Sequence, residues 1–169
     1  SAINLGMIRK PEVFEKVCTL AVRCLDALLD YQNYPIIAAE LSTMNRRPLG
    51  IGVINFAYWL AKNGSTYTNP DLALIHKFAE AWSYYLIKAS VDLAEEIGPC
   101  PKSNQTRYGQ GIFPIDTYKK DVDDLVAPVY EMDWDTLRDR AKNFGIRNST
   151  LMALMPSETS SQISNSTNG

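Results

Sequence analysis

A hydroxyl-rich turn near the carboxyl end of the chain is the clearest candidate for chemistry. The apolar run Leu151–Met155 leads directly into five small, polar or turn-forming residues: Pro156, Ser157, Glu158, Thr159 and Ser160. A strand that empties into such a turn at the start of a helix brings backbone N–H groups and hydroxyls around one point, which suits phosphate. Ligands also bind at the carboxyl ends of strands in α/β folds. Because Glu158 opposes an anion unless its carboxylate points away, phosphate binding and a plain capped turn both stay open.

The histidine and the cysteines, residue types often used in catalysis, show no pattern that indicates a catalytic site. His76 is the single histidine, and with only Glu80 one helical turn away it cannot complete a three-ligand zinc site, so we interpret it as a surface or packing residue. Cys18 and Cys24 face different sides of a predicted helix, unlike a C-x-x-C redox pair, and Cys100 lies in a Pro-Cys-Pro turn. We predict structural roles for all three cysteines, without disulfides, in a reducing compartment.

Charged pairs and glycines elsewhere indicate ordinary structural roles. We predict solvent exposure for the basic pairs Arg46–Arg47 and Lys119–Lys120. The aspartates within 121–124 lack the spacing of a calcium loop, so no metal site is expected. The run Leu49–Asn55 has two glycines but not the third glycine of a dinucleotide-binding fingerprint. We interpret its glycines as places where another backbone approaches a buried strand closely.

The elements that position these residues follow from apolar spacing. Steps of three and four predict helices at Pro11–Tyr34, Asn55–Lys62, Pro70–Ile97 and Trp134–Phe144, and a last helix beginning at Ser160. Two apolar runs predict buried strands at Leu49–Ile54 and Asn148–Met155. Because apolar strands alternate with long helices, the sequence predicts an α/β fold whose parallel strands are covered by helices.

Two of the helices carry more specific expectations. Asn69 is predicted to cap the helix that starts at Pro70. The first helix has two apolar stripes, one through Val13 and Leu20 and one through Phe14 and Cys18. So wide an apolar arc predicts burial against more than one neighbour.

Composition limits the class of protein. The chain has 169 residues, of which 46% are hydrophobic and 21% charged, as in a globular domain. Its net charge of −2 and pI of about 5.4 give no basic surface for nucleic acid and no polybasic signature for membranes. The opening segment has neither a basic n-region nor an apolar h-region, so no signal peptide is expected within it. Since two predicted strands cannot close a core, both ends are expected to be truncated.

Longer stretches of the sequence resemble a known family. The frame Trp134-x-x-Leu137…Gly145-x-Arg147-Asn148…Pro156, with segments 1–6, 25–31, 47–53 and 111–118, strongly resembles the catalytic α subunit (the large subunit) of class I ribonucleoside-diphosphate reductase, in its bacterial or bacteriophage form. The resemblance covers essentially the whole chain in order. It implies an internal fragment of that subunit, in which residues 1–169 belong to a single catalytic domain, a ten-stranded α/β barrel, truncated at both ends.

The same resemblance implies a function. The family reduces ribonucleoside diphosphates to 2′-deoxyribonucleoside diphosphates for DNA synthesis, by a cysteinyl radical and a redox cysteine pair. The family's loop that holds the substrate diphosphate matches Pro156, Ser157, Glu158, Thr159 and Ser160. The radical cysteine, the redox pair and the relay tyrosines match nothing here, so we expect no catalytic residue in this chain and no activity from it alone.

Partners and cofactors are implied in the same way. A metal-containing small β subunit supplies the radical, thioredoxin or glutaredoxin supplies the dithiol, and ATP or dNTP effectors bind parts that this chain does not match. We expect an α homodimer in the cytoplasm, or in the host cytoplasm for a bacteriophage, with neither nucleic acid nor membrane as a partner. Two alternatives stay open: a non-catalytic α/β module that binds a partner chain, and an unrelated phosphate-binding domain.

Overall fold

A small parallel sheet lies among helices in the computed structural model, which describes residues 1–168. Strands β1 (Ala2–Asn4) and β2 (Gly52–Ile54) pair in parallel. The helices of the described residues are α1 (Val13–Tyr31), α2 (Ile37–Arg46), α3 (Phe56–Lys62), α4 (Leu72–Ile97), α5 (Pro114–Thr117), α6 (Trp134–Phe144) and α7 (Glu158–Ile163). The parallel pairing and the helical cover agree with the predicted α/β class.

A third extended segment, 150–153, lies beside β2. Met152 forms a parallel bridge with Ile51, and the Ile51 N–H donates to the Leu151 carbonyl at 2.8 Å. The two predicted strands are therefore neighbours, although each forms fewer ladder contacts than its apolar run suggests. β2 begins only at Gly52, and Leu154 is 77% exposed.

The glycines of the Leu49–Asn55 run permit this close pairing. A Cβ on Gly52 would lie 2.4 Å from the Ala153 carbonyl oxygen, and one on Gly50 would lie 3.4 Å from the Ala153 Cβ. A contact of 2.4 Å between those atoms is sterically forbidden, so a side chain at position 52 would push the two backbones apart. The predicted close approach of another backbone is confirmed.

Helix boundaries agree with the sequence where capping residues are decisive. The α6 prediction is confirmed at both ends, because the Asp133 carboxylate accepts the Thr136 N–H at 3.1 Å and Gly145 follows the helix at φ 76°. The α4 start was wrong. Asp71, not Asn69, caps this helix by accepting the Leu74 N–H at 3.0 Å.

The other differences from the predicted helices concern the end of α1, the presence of α2 and the start of α7. α1 ends at Tyr31 rather than Tyr34, whose hydroxyl donates back to the Leu29 carbonyl at 2.7 Å. α2 was not predicted, although Ile37, Leu41 and Met44 recur at helical spacing; none of its residues is buried. α7 starts at Glu158, two residues before the predicted Ser160.

The core is built around α4, which packs against α1 and α6. On α1 the stripe through Phe14, Cys18 and Val22 is fully buried. The stripe through Val13 and Leu20 is only partly buried: Val17 and Ala21 pack against the core, whereas Leu20 is 60% and Leu28 50% exposed. α1 contacts α2 as well as α4, so it has more than one neighbour, although the face through Leu20 and Leu28 stays open. No helix of this part of the chain has the length and apolarity to cross a membrane.

This open face leads to a prediction about the isolated chain. Leu20 and Leu28 of α1, and Ile37 and Leu41 of α2, are exposed, and this apolar surface should cause self-association or poor solubility. Size-exclusion chromatography with light scattering measures the mass directly. A Leu20→Gln/Leu28→Gln variant should shift the population towards monomer, and a wild-type chain that is a cooperatively melting monomer would contradict the prediction.

Candidate site at the carboxyl edge of the sheet

The three extended segments end at one edge of the sheet. β1 ends at Asn4, β2 is followed by Asn55, and segment 150–153 leads into the turn at Pro156. Because the segments are parallel, their carboxyl ends meet at this edge, where α/β folds bind ligands. A cavity of about 790 Å³ opens here, with Asn4, Asn55, Ser161 and Ser166 among its lining residues.

The start of the turn is anchored to the rest of the structure. Ser157 is 5% exposed, and its N–H donates to the Asn168 Oδ1 at 2.9 Å. Its hydroxyl donates to the Met155 carbonyl at 3.3 Å. Ser157 therefore uses both of its donors to fix the turn.

The next three residues of the turn present free donors. Glu158, Thr159 and Ser160 are exposed at the first turn of α7, where N–H groups have no helical acceptor. Within residues 1–168 no acceptor is recorded for these N–H groups, and no partner for the Thr159 and Ser160 hydroxyls. The arrangement can donate several hydrogen bonds to one anion, while the exposed Glu158 side chain has room to point to solvent.

Two of the three cysteines and the histidine pack within the structure, which supports the predicted structural roles for these residues. Cys18 is buried in the core, where burial raises the pKa of its thiol to about 12. Burial also raises the pKa of Cys100, and Cys24 is an exposed residue of α1. The His76 ring packs against Tyr130 with 5.7 Å between ring centroids.

The predicted exposure of the Arg46–Arg47 pair is wrong for Arg47. Arg47 is 3% exposed; its Nε donates to Asp26 Oδ1 at 2.7 Å, and its other guanidinium nitrogens reach both carboxylate oxygens of Asp30. The hydrogen bonds to Asp30 and Asp26 hold the pKa of Arg47 above its ordinary value. Arg46 is exposed, as predicted.

Asp26 connects this arginine to the segment that precedes the turn. Its carboxylate is 4% exposed and also accepts from Arg147 Nε at 3.0 Å and Asn148 Nδ2 at 2.8 Å. The Asn148 N–H in turn donates to Ser90 Oγ at 2.9 Å. This buried polar network, defined as Asp26, Arg47, Arg147, Asn148 and Ser90, ties α1 and α4 to the start of the third extended segment.

The second basic pair, Lys119–Lys120, is not part of a buried network. Lys119 and Lys120 are exposed as predicted, and Lys119 pairs with Asp121 at 3.1 Å on the surface. Across the part of the chain that the structure describes, no group of three or more His, Cys, Asp or Glu side chains is placed to hold a metal ion.

Sequence reasoning missed four residues of the edge: Asn4, Asn55, Thr167 and Asn168. The first two carry a readable signal, since each is an asparagine directly after a short apolar strand. The other two were hidden in a polar tail that has no periodicity.

Comparison with known proteins identifies the family. A family model for the ribonucleotide reductase barrel domain matches residues 1–169. The ribonucleoside-diphosphate reductase subunit alpha of Haemophilus influenzae is 58% identical over 170 residues, which cover 100% of this chain and 22% of that protein. The subunit alpha of reductase 1 from Salmonella typhimurium is 62% identical over 142 residues, 83% of this chain and 19% of the relative. The subunit from Enterobacteria phage T4 is 51% identical over 154 residues, 91% of this chain and 20% of the relative.

The chain therefore belongs to the ribonucleotide reductase barrel-domain family. Its resemblance to the α subunits of bacterial and bacteriophage ribonucleoside-diphosphate reductases is confirmed. The chain spans about a fifth of the length of the curated relatives that it matches. An unrelated phosphate-binding domain is excluded as an alternative.

Proposed function

We propose that this chain is part of the catalytic α subunit of a class I ribonucleoside-diphosphate reductase, and that its turn Pro156–Ser160 binds the substrate diphosphate. The observation that carries the proposal is the set of free donors at 158–160, at the carboxyl end of an extended segment in a chain of this family. The intact subunit would convert ribonucleoside diphosphates to 2′-deoxyribonucleoside diphosphates for DNA synthesis.

Recognition by the turn rests on charge-assisted hydrogen bonds. Phosphate oxygens accept from the N–H groups of 158–160 and from the hydroxyls of Thr159 and Ser160, and each such bond contributes about 1.5–3 kcal/mol. Pro156 fixes its own φ and so restrains the shape of the turn. Ser157 holds the turn in place through its bonds to Asn168 and Met155. These contacts reach only the diphosphate, so they do not discriminate between bases.

The reaction needs chemistry that this chain does not carry. A metal-containing small β subunit supplies the radical, and thioredoxin or glutaredoxin supplies the dithiol. The role of this chain is to fix the ribose by holding the diphosphate, because hydrogen abstraction tolerates little misplacement. The raised thiol pKa values of Cys18 and Cys100 support structural rather than redox roles for these residues.

The architecture of the intact domain belongs to the same proposal. β1, β2 and segment 150–153 would be neighbouring strands of a ten-stranded α/β barrel, with residues 1–169 forming one part of that catalytic domain. Their parallel direction and the helices between them support this arrangement. The family further implies an α homodimer, ATP and dNTP effectors bound outside this chain, and a cytoplasmic location.

Reductase assays test the proposal at two levels. The complete subunit that contains this chain, supplied with the small subunit, a dithiol and CDP, should form dCDP. The isolated chain should give no turnover under the same conditions, because none of its cysteines has the setting that the reaction needs. An inactive complete subunit that still bound a partner chain would instead favour a non-catalytic binding module, and turnover by the isolated chain would contradict the assignment of roles.

A further inference from the structure

Asn55 occupies an unusual position between β2 and α3. It adopts the left-handed conformation, at φ 66° and ψ 26°, and is only 7% exposed. Asparagine and glycine adopt this conformation more readily than other residues do. Its side chain gives no capping hydrogen bond to α3, so its buried amide serves another purpose.

The amide of Asn55 connects two parts of the sheet edge. Its Nδ2 donates to the Asn4 Oδ1 at 2.9 Å. Its Oδ1 accepts from the Thr167 N–H at 3.0 Å and from the Thr167 hydroxyl at 3.3 Å. The Asn55 N–H donates to the Thr167 carbonyl at 2.9 Å. One residue thus holds the end of β1 and a segment that lies 112 positions along the chain.

The next residue carries this connection to the turn. Asn168 follows Thr167 directly, and its Oδ1 accepts the N–H of Ser157, the residue that precedes α7. A continuous set of hydrogen bonds therefore runs from Asn55 through 167–168 to the start of the turn.

Packing leaves the Asn55 amide little freedom. A Cβ on Gly6 would lie 2.5 Å from the Asn55 Nδ2 and 2.7 Å from the Tyr58 Cδ1. Only glycine at position 6 leaves room for this amide, so the amide packs closely against the backbone there. Because an amide supplies both a donor and an acceptor, it can satisfy Asn4 and Thr167 together.

We propose that Asn55 is a positioning residue for diphosphate binding, acting on the turn through Thr167 and Asn168. This inference rests on the function proposed above. Asn55 does not touch the ligand; it holds the donors of 158–160 in the geometry that accepts a diphosphate. Without its side chain, the ligand must itself order the turn, which weakens binding. The chemical step is unchanged once the diphosphate is bound.

The test uses the intact subunit with its small subunit and dithiol, and CDP as the probe. Asn55→Gly removes the side chain without straining the backbone. Loss of the anchoring hydrogen bonds should raise both the Kd and the KM for CDP about tenfold, and kcat should stay within about threefold of wild type. Asn33→Gly is the control, because Asn33 is exposed and does not line the cavity at the sheet edge; it should leave Kd within twofold.

A double-mutant cycle with Asn168→Ala separates this role from general destabilisation. Asn168 is exposed, so its truncation should not unfold the subunit. The substitution should weaken CDP binding about tenfold. If Asn55 acts through Asn168, the two substitutions together should weaken CDP binding by much less than a hundredfold, which is the product of the two tenfold effects. Any of three results would overturn the inference. The double variant could bind CDP a hundredfold more weakly, kcat could fall without a change in KM, or the Kd of Asn55→Gly could stay within twofold of wild type.

One further variant distinguishes this inference from the proposal on which it rests. Thr159→Ala/Ser160→Ala removes donors from the turn itself. If this variant weakens CDP binding while Asn55→Gly does not, the turn binds the diphosphate but the positioning role of Asn55 is wrong. If the Thr159→Ala/Ser160→Ala variant binds CDP as wild type does, the proposed diphosphate site and the proposed positioning role are both wrong.

Discussion

Replacing Arg47 by methionine should destabilise the packing of α1 against the third extended segment by about 3–5 kcal/mol. Methionine keeps an unbranched side chain that corresponds to the aliphatic stem of arginine, so the change removes chiefly the guanidinium. Arg47 donates to the Asp26 carboxylate, the Asp26 carbonyl and the Asp30 carboxylate. Asp26 is 3% exposed and would keep only Arg147 and Asn148 as partners, so a buried charge would be left short of its hydrogen bonds.

Amide hydrogen exchange in the intact subunit measures this loss locally. Peptides from α1 and from 147–153 should exchange about a hundredfold faster or more, since each 1.4 kcal/mol corresponds to a factor of ten. The neighbouring Arg46 is exposed, and Arg46→Met should change exchange by no more than twofold. Equal exchange in the two variants would show that the buried polar network does not stabilise the fold.

The ion pair between Arg47 and Asp30 has a pH dependence of known sign. The hydrogen bond from Arg47 lowers the pKa of Asp30 below its ordinary value of 3.8. A carboxyl whose folded pKa is depressed contributes its stability fully above the unfolded pKa and loses it as the pH falls through the folded pKa. The difference in exchange between wild type and Arg47→Met should therefore narrow below about pH 4.

The sequence predicts those elements whose ends are set by neighbouring residues. α6 was predicted with both ends correct, and α3 with its carboxyl end correct, because Asp133, Gly145 and Asn63 act within a few positions of the helices they bound. The carboxyl-end turn was likewise visible from an apolar run followed by hydroxyls. These features depend on spacings of three to five residues, which a single sequence displays.

The features that were missed depend on distant contacts. Arg46 and Arg47 are adjacent and alike, and only contacts with Asp26 and Asn148, 21 and 101 positions away, make Arg47 the buried one. The link between Asn55 and Thr167 spans 112 positions. The start of α4 was misplaced because the Ser65 hydroxyl donates to the Asn69 carbonyl at 3.3 Å and so holds Asn69 in a turn before the helix. No local pattern reports such pairings.

The other large effect is expected at the turn itself. Thr159→Ala/Ser160→Ala removes two hydroxyls that have no partner within the described residues and that we propose to bind the diphosphate. Each lost charge-assisted bond costs about 1.5–3 kcal/mol, or at least about tenfold in affinity. The double variant should therefore bind about a hundredfold more weakly. Because only the diphosphate is contacted, the loss should be the same for every base.

Steady-state kinetics of the intact double variant with ADP, CDP, GDP and UDP test the central claim most directly. Thr68→Ala is the control, since it removes an exposed hydroxyl from the loop before α4 and should leave all KM values unchanged. Binding of the diphosphate by this turn predicts that KM rises about a hundredfold for all four substrates, with base preference unaltered. KM values within a factor of two of wild type for all four substrates would show that the turn only caps α7.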